Sequence, residues 1–299
     1  MTPTVVARGV PVARPAPAQR RRQLGPWLQL APVTAYYLIF FLVPLGILVA
    51  YSFATFSDYT TTWNLTLDNY SQVLHSQVFR ALFLRTLKYA AIVSMIVLAL
   101  AYPFAYALTF VFTKRRQALY FLVLVSLFGG YLVRIYSWRT LLGEKGLLNT
   151  GLMGIGIIDQ PSHAFLNSGT AIVIVLVNFL LPLGVLPIYS AMQNLSPGLI
   201  EASRDLGGGP LHTIRRVILP LTMRGAAAAF AFTFIATAAE WVTPQLVGGT
   251  GNQFVGNAIS YEFGTDINWP LGAALALSLI VAVVIVVAIV LGLARWVTR

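Results

Sequence analysis

The 299-residue chain has no cysteine, which excludes disulfides, thiolate metal sites and a cysteine nucleophile. Charge is scarce as well. Asp, Glu, Lys and Arg make up 10% of the residues, against about 25% in an ordinary soluble domain. Histidine is limited to His75, His163 and His212, scattered without ligand spacing. The three lysines, Lys88, Lys114 and Lys145, follow no Gly-x-x-x-x-Gly-Lys-Ser/Thr phosphate loop. A soluble enzyme, a Ser/His/Asp hydrolase, a secreted disulfide scaffold and a nucleotide-binding domain are thereby set aside.

What the chain does have is long stretches without an ionised residue: between Arg22 and Asp58, Lys88 and Lys114, Arg116 and Arg134, Asp159 and Glu201, Arg224 and Glu240, and Asp266 and Arg295. Most of them exceed or approach the roughly 20 apolar residues a helix needs to cross ~30 Å of hydrocarbon. Together with 58% apolar residues, they predict an all-α polytopic membrane protein. Six transmembrane helices are expected near 31–53, 88–112, 117–138, 169–191, 225–247 and 271–293. The Arg- and Pro-rich residues 1–26 are expected to form a flexible tail. The transmembrane domain predicted to follow occupies 27–299. Ser76 to Tyr89 reads as a helix lying in the interface, with Arg80, Arg85 and Lys88 among Phe79, Leu82, Phe83, Leu84 and Leu87.

Basic residues set the orientation. With the N-terminus in the cytoplasm, fourteen Lys and Arg lie inside and six lie outside. Seven of the nine acids, and Trp63, Trp138, Trp241 and Trp269, then fall at the outer side. Both termini are expected in the cytoplasm. The +11 net charge is thus a topology signal rather than a nucleic-acid one. The arginines at 14–22 fit that signal and would equally meet anionic headgroups.

The loop at 192–224 carries the one strong motif. Ser196 is a good N-cap and Pro197 suits the first helical turn. Leu199, Ile200, Ala202, Ser203 and Leu206 form a short apolar stripe beside Glu201, Arg204 and Asp205. Gly207 suits a left-handed end, and Gly208, Gly209 and Pro210 turn the chain into a second short helix. Two adjacent spans need no such elaborate connector, so the helix is expected to fill a groove.

Glu201-Ala202-Ser203, three residues, Gly207, nine residues, then Val217-Ile218-Leu219-Pro220 resembles the EAA loop of bacterial ABC importer permeases. Ser203 and Val217 are its two departures, both small or conservative. Over about residues 30–295 the resemblance continues. Leu67-Asp68-Asn69-Tyr70, Tyr131 to Arg139, Gly146-Leu-Leu-Asn149 and Glu240-Trp-Val-Thr-Pro244 to Gly249 look like the first permease of spermidine/putrescine importers. Iron and thiamine importers share that permease branch.

The resemblance implies a type I ABC importer permease fold and a set of partners: a cytoplasmic ATPase dimer, a sister permease (a heterodimer), an extracytoplasmic solute-binding protein and the bilayer of the inner membrane. Nucleic acid has no place in it. ATP and Mg would be bound by the ATPase subunits, and this chain would need no cofactor. Pro197 and Leu199 to Gly207 would form the ATPase-coupling helix, with Glu201 as the polar docking contact. The expected cargo is a polyamine. Iron, thiamine, an amino-acid derivative or an opine-like solute are the alternatives on the same machinery. A secondary transporter or channel is the alternative from another class, although no inverted repeat supports it.

Two charges fall inside predicted spans. Glu240 either lines the translocation pathway, with Trp241 adding cation–π contact, or pairs with a base such as Arg134, or reaches water. Arg134 is expected to snorkel outward among Tyr131, Tyr136 and Trp138. Pro103, Pro182, Pro187 and Pro244 are expected to kink their helices.

Overall fold

A computed structural model describes residues 25–162 and 165–297. The predicted tail, apart from its last two residues, and His163 lie outside them. The chain divides into two compact units, 1–47 and 48–299. In the first, α1 (Gly25–Tyr37) is followed by a π turn (Leu38–Leu42) and by the start of α2 (Val43–Ser52). The helical segment Leu30–Ser52 is 23 residues long, enough to cross a bilayer. It carries no charged residue.

The second unit is built on three helices that pack pairwise: α4 (Gln77–Tyr106), α8 (Gly169–Gln193) and α11 (Leu219–Ala238). Small residues bring them close. A Cβ on Gly184 of α8 would stand 2.5 Å from a Val97 methyl of α4, and one on Gly225 of α11 would stand 2.5 Å from Ala191 of α8. Close backbone approach of this kind replaces the hydrophobic drive that is missing between helices in lipid. Two core threonines bond back along their own helix: Thr222 Oγ1 donates to the Ile218 carbonyl (2.7 Å) and Thr233 Oγ1 to that of Ala229 (2.9 Å). Tyr102 of α4 reaches Thr222 at 2.8 Å and ties two helices together. On α11 packs α13 (Trp269–Val297), and α12 (Val255–Gly264) packs on α13 and α4, with Phe234 and Val255 in one apolar cluster.

Among the described residues, five helices are long and apolar enough to cross a membrane, and a bent pair brings the number to six. That pair corrects the third predicted span. The chain breaks after α5 (Arg116–Leu127) at Phe128-Gly129-Gly130 and turns by 89° into α6 (Tyr131–Leu142) and α7 (Leu147–Gly154). Two adjacent glycines make helix continuation costly. The fifth predicted span is shifted: its helix starts at Pro210, passes a π turn at Ile214–Ile218, and ends at Ala238. The separate interfacial helix at 76–89 is not formed. Ser76 caps α4 by accepting the Phe79 amide hydrogen, and the helix then runs unbroken to Tyr106.

Two motifs quoted above pin loops. Asn69, in α3 (Asp68–His75), donates to the Ser52 and Ala54 carbonyls at 3.0 and 2.8 Å. Asn149, fully buried, donates to Gly143 and Ser162 carbonyls and accepts from the Ser162 amide at 2.8 Å. Both satisfy backbone groups that no regular element pairs.

Candidate functional site

The loop motif forms α9 (Pro197–Asp205) and α10 (Pro210–Thr213). Ser196 occupies the N-cap with an extended backbone, but its hydroxyl makes no capping bond. The other end matches its sequence closely. Gly207 adopts φ +80°, its N–H donates to the Arg204 carbonyl (2.9 Å), and the Gly208 N–H donates to that of Ser203 (2.9 Å). This is a complete Schellman closure. A Cβ on Gly208 would strike the Ser203 carbonyl at 2.6 Å, so both glycines are required there.

The apolar stripe splits between two sides. Ile200 packs against the main core of the bundle. Ser203 Oγ lies 3.0 Å from Thr213 Oγ1, and Thr213 is 4% exposed. Leu199, Glu201, Ala202, Arg204, Asp205 and Leu206 face outward, Leu206 at 89% exposure. Further along the loop, an open, basic cavity of about 590 Å³ is lined by Leu211, His212, Arg215, Arg216 and Pro220. The helix is therefore fastened to its own bundle on one side and presents Leu199, Ala202 and Leu206 without a partner on the other.

Glu240 lies beyond the end of α11, in the break between Ala238 and a π turn at Pro244–Gly248. Its Oε1 accepts the amide hydrogens of Trp241 and Val242 at 3.0 Å each and that of Thr243 at 3.5 Å. The Tyr131 hydroxyl, at 2.6 and 2.5 Å from the two carboxylate oxygens, closes the set from α6. A carboxylate at the start of a helical turn satisfies orphan N–H groups and complements the turn's dipole. Trp241 is 42% exposed, and its carbonyl accepts from Asn257 of α12 at 2.8 Å.

Arg134 is not Glu240's partner, and it does not snorkel outward. Its Nη2 turns back across the break to the Ser126 carbonyl at 2.5 Å, and the guanidinium lies 5.4 Å from the Phe179 ring centre. This arginine caps the end of α5, where the carbonyls are unpaired. Among the described residues, no basic side chain is a hydrogen-bond partner of Glu240. Tyr131 and Thr243 were not assigned to this site from the sequence. The signals for Tyr131 are its place at the head of the Tyr131-to-Arg139 motif and directly after two glycines. Among the described residues, no group of three or more His, Asp or Glu could hold a metal ion.

The family described as binding-protein-dependent transport system inner membrane component matches residues 26–299. The chain belongs to this family. As an inner-membrane component it is the permease subunit of an ABC importer, not an enzyme. The chain is 35% identical over 255 residues to the spermidine/putrescine transport system permease protein PotB of Haemophilus influenzae, covering 85% of this chain and 88% of that one. PotB of Escherichia coli is likewise 35% identical, with 83% and 90% covered. Among solved structures, a bacterial alginate ABC transporter in complex with its pentasaccharide-bound periplasmic protein superposes with a TM-score of 0.71 at 17% identity, covering 91% of this chain and 94% of that one. That likeness establishes the type I importer permease fold. The broken third span and the α9–α10 loop of this inner-membrane component thus belong to a transport subunit.

Proposed function

We propose that this permease conducts polyamines, the spermidine and putrescine class, from an external binding protein into the cytoplasm. The observation that carries the reading is the Glu240 carboxylate. It is anchored by backbone N–H groups and Tyr131, and among the described residues no basic side chain bonds to it. A fixed negative charge of this kind favours a passing ammonium group at little reorganisation cost, and exposed Trp241 adds a π face beside it. The names of the PotB relatives support the same cargo.

In this reading α9 with its closing turn, Pro197 to Gly207, is the coupling helix. Leu199, Ala202 and Leu206 enter a groove on an ATPase subunit, and Glu201 makes the polar contact at its rim. The exposed arginines around 215 and 216 meet the same subunit. Because Ser203 bonds to Thr213 at the root of the α11 span, motion of the ATPase passes into the bundle as a rigid-body displacement. ATP and Mg sit on the ATPase dimer, a sister permease completes the pathway, and both termini face the cytoplasm.

The test is uptake by the assembled complex in vesicles with its binding protein and labelled putrescine or spermidine. ATP-dependent accumulation and substrate-stimulated ATPase activity are expected. Stimulation by an anionic or neutral solute, with none by polyamines, overturns the cargo assignment.

A further inference from the structure

A groove of about 640 Å³ opens on the second unit between the first turns of α4 and the middle of α13. Its walls are almost wholly aliphatic and aromatic. Leu84 is 69% exposed, Val281 57% and Ile285 53%. Phe83 closes the inner wall and Ser278 gives the far wall its one hydroxyl. The exception is Arg80, in the first turn of α4, at one end of the groove. Its guanidinium makes no hydrogen bond or ion pair with any described residue, and no acid lines the groove.

We propose that this groove holds a membrane phospholipid, with Arg80 on the headgroup phosphate and an acyl chain lying along Leu84, Val281 and Ile285. Charge complementarity selects this occupant. An unpaired guanidinium above an aliphatic trough matches a molecule that carries an anionic phosphodiester at one end and hydrocarbon below it. Arginine binds phosphate through a planar fork of donors, and the N-terminal dipole of α4 adds to the attraction. The dimensions agree. Leu277 to Ile285 spans roughly 12 Å of helix rise, most of one leaflet of a ~30 Å hydrocarbon core. Its α4 and α13 walls belong to membrane-spanning helices, so the groove runs with the acyl chains rather than across them, and Tyr70, Val73 and Leu74 of the short helix α3 complete the lining. The inference rests on the orientation proposed above only for its leaflet, the outer one. Were that orientation reversed, the site would persist in the opposite leaflet.

The assembled transporter, extracted in mild detergent, is assayed for co-purifying phospholipid by mass spectrometry. The wild type is expected to retain phospholipid. Arg80→Ala, which removes the phosphate contact, and Ser278→Trp, which fills the trough, should each lower retention roughly tenfold, as losing about 1.4 kcal/mol does. Arg80→Lys keeps the charge and should retain most of it. Helix content and subunit assembly are measured in every variant, so that a folding defect is not mistaken for lipid loss. A photoreactive benzoyl-phenylalanine at Leu84 should add the mass of a lipid on irradiation. Unchanged retention in both disruptive variants overturns the proposal. So does a Leu84 crosslink to polypeptide instead, whether residues 30–52 of this chain or another subunit.

Discussion

The Tyr131 hydroxyl stands 2.6 and 2.5 Å from the two carboxylate oxygens of Glu240. It joins the first turn of α6, just past the double-glycine break, to the turn that follows α11. Two interruptions in two helices are thus held together by one charge-assisted bond, shorter and stronger than a neutral one.

Glu240→Gln removes the charge and retains one oxygen to accept backbone N–H groups. Polyamine uptake is expected to fall at least about tenfold, while assembly and basal ATPase activity stay near wild type. Glu240→Ala leaves the N–H groups of residues 241–243 without their acceptor, so it should also destabilise the complex by about 1–3 kcal/mol. Thermal unfolding of both variants, beside uptake, separates the two effects. Wild-type uptake by Glu240→Gln removes the pathway role.

Glu201→Lys and Gly207→Glu are expected to leave membrane insertion intact and to abolish substrate-stimulated ATPase activity. At Gly207 the reason is conformational: φ +80° costs a non-glycine residue about 1 kcal/mol or more, and the turn behind α9 shifts. Stimulation at the wild-type level in both variants removes the docking assignment.

Orientation is checked with introduced cysteines, since the chain has none of its own. Leu65→Cys (Leu65 is 86% exposed) and Gly251→Cys should react with an impermeant thiol reagent added outside sealed cells. Leu211→Cys, at a position 69% exposed on the α9–α10 side, should react only after permeabilisation. Labelling at Leu211→Cys in sealed cells reverses the topology.

Gly184→Val places branched carbon where a single Cβ already meets Val97 at 2.5 Å. Overpacking of this kind costs typically about 1–3 kcal/mol. The expected result is a lower unfolding temperature of the purified subunit, partly recovered by Val97→Ala. An unchanged midpoint contradicts the close α4–α8 packing.

Glu262 lies in α12, outside the candidate spans. Burial, and then the neighbouring Asp266, raise its carboxyl from 4.5 to about 7. Between those values the folded protein holds a proton that the unfolded chain has released, so stability falls as pH rises through this window. The group is half exposed, and the loss is on the order of 1 kcal/mol after solvent screening. Glu262→Gln should flatten unfolding temperature against pH from about 4.5 to 7. An unaltered slope contradicts the assignment.

Much of the architecture was legible in the residues themselves. Charge-free windows located the helices because hydrocarbon tolerates almost no unpaired charge. Gly207 and Gly208 announced the end of α9 because left-handed backbone and close approach are local demands. The Ser196 hydroxyl did not take the capping role its position suggested, since a cap also depends on the rotamer that neighbours allow. Hydropathy carries no direction, so Gly129 and Gly130 were absorbed into a straight third span, and Glu240 was placed inside a fifth that ends before it. The tertiary structure decided the partners of the charges. Arg134 turned to the end of α5, and Tyr131 reached Glu240 from 109 residues away in sequence. Apolar composition determines that a chain must cross the membrane. Which polar groups meet at its breaks depends on helices packed through three dimensions, and no local pattern records that.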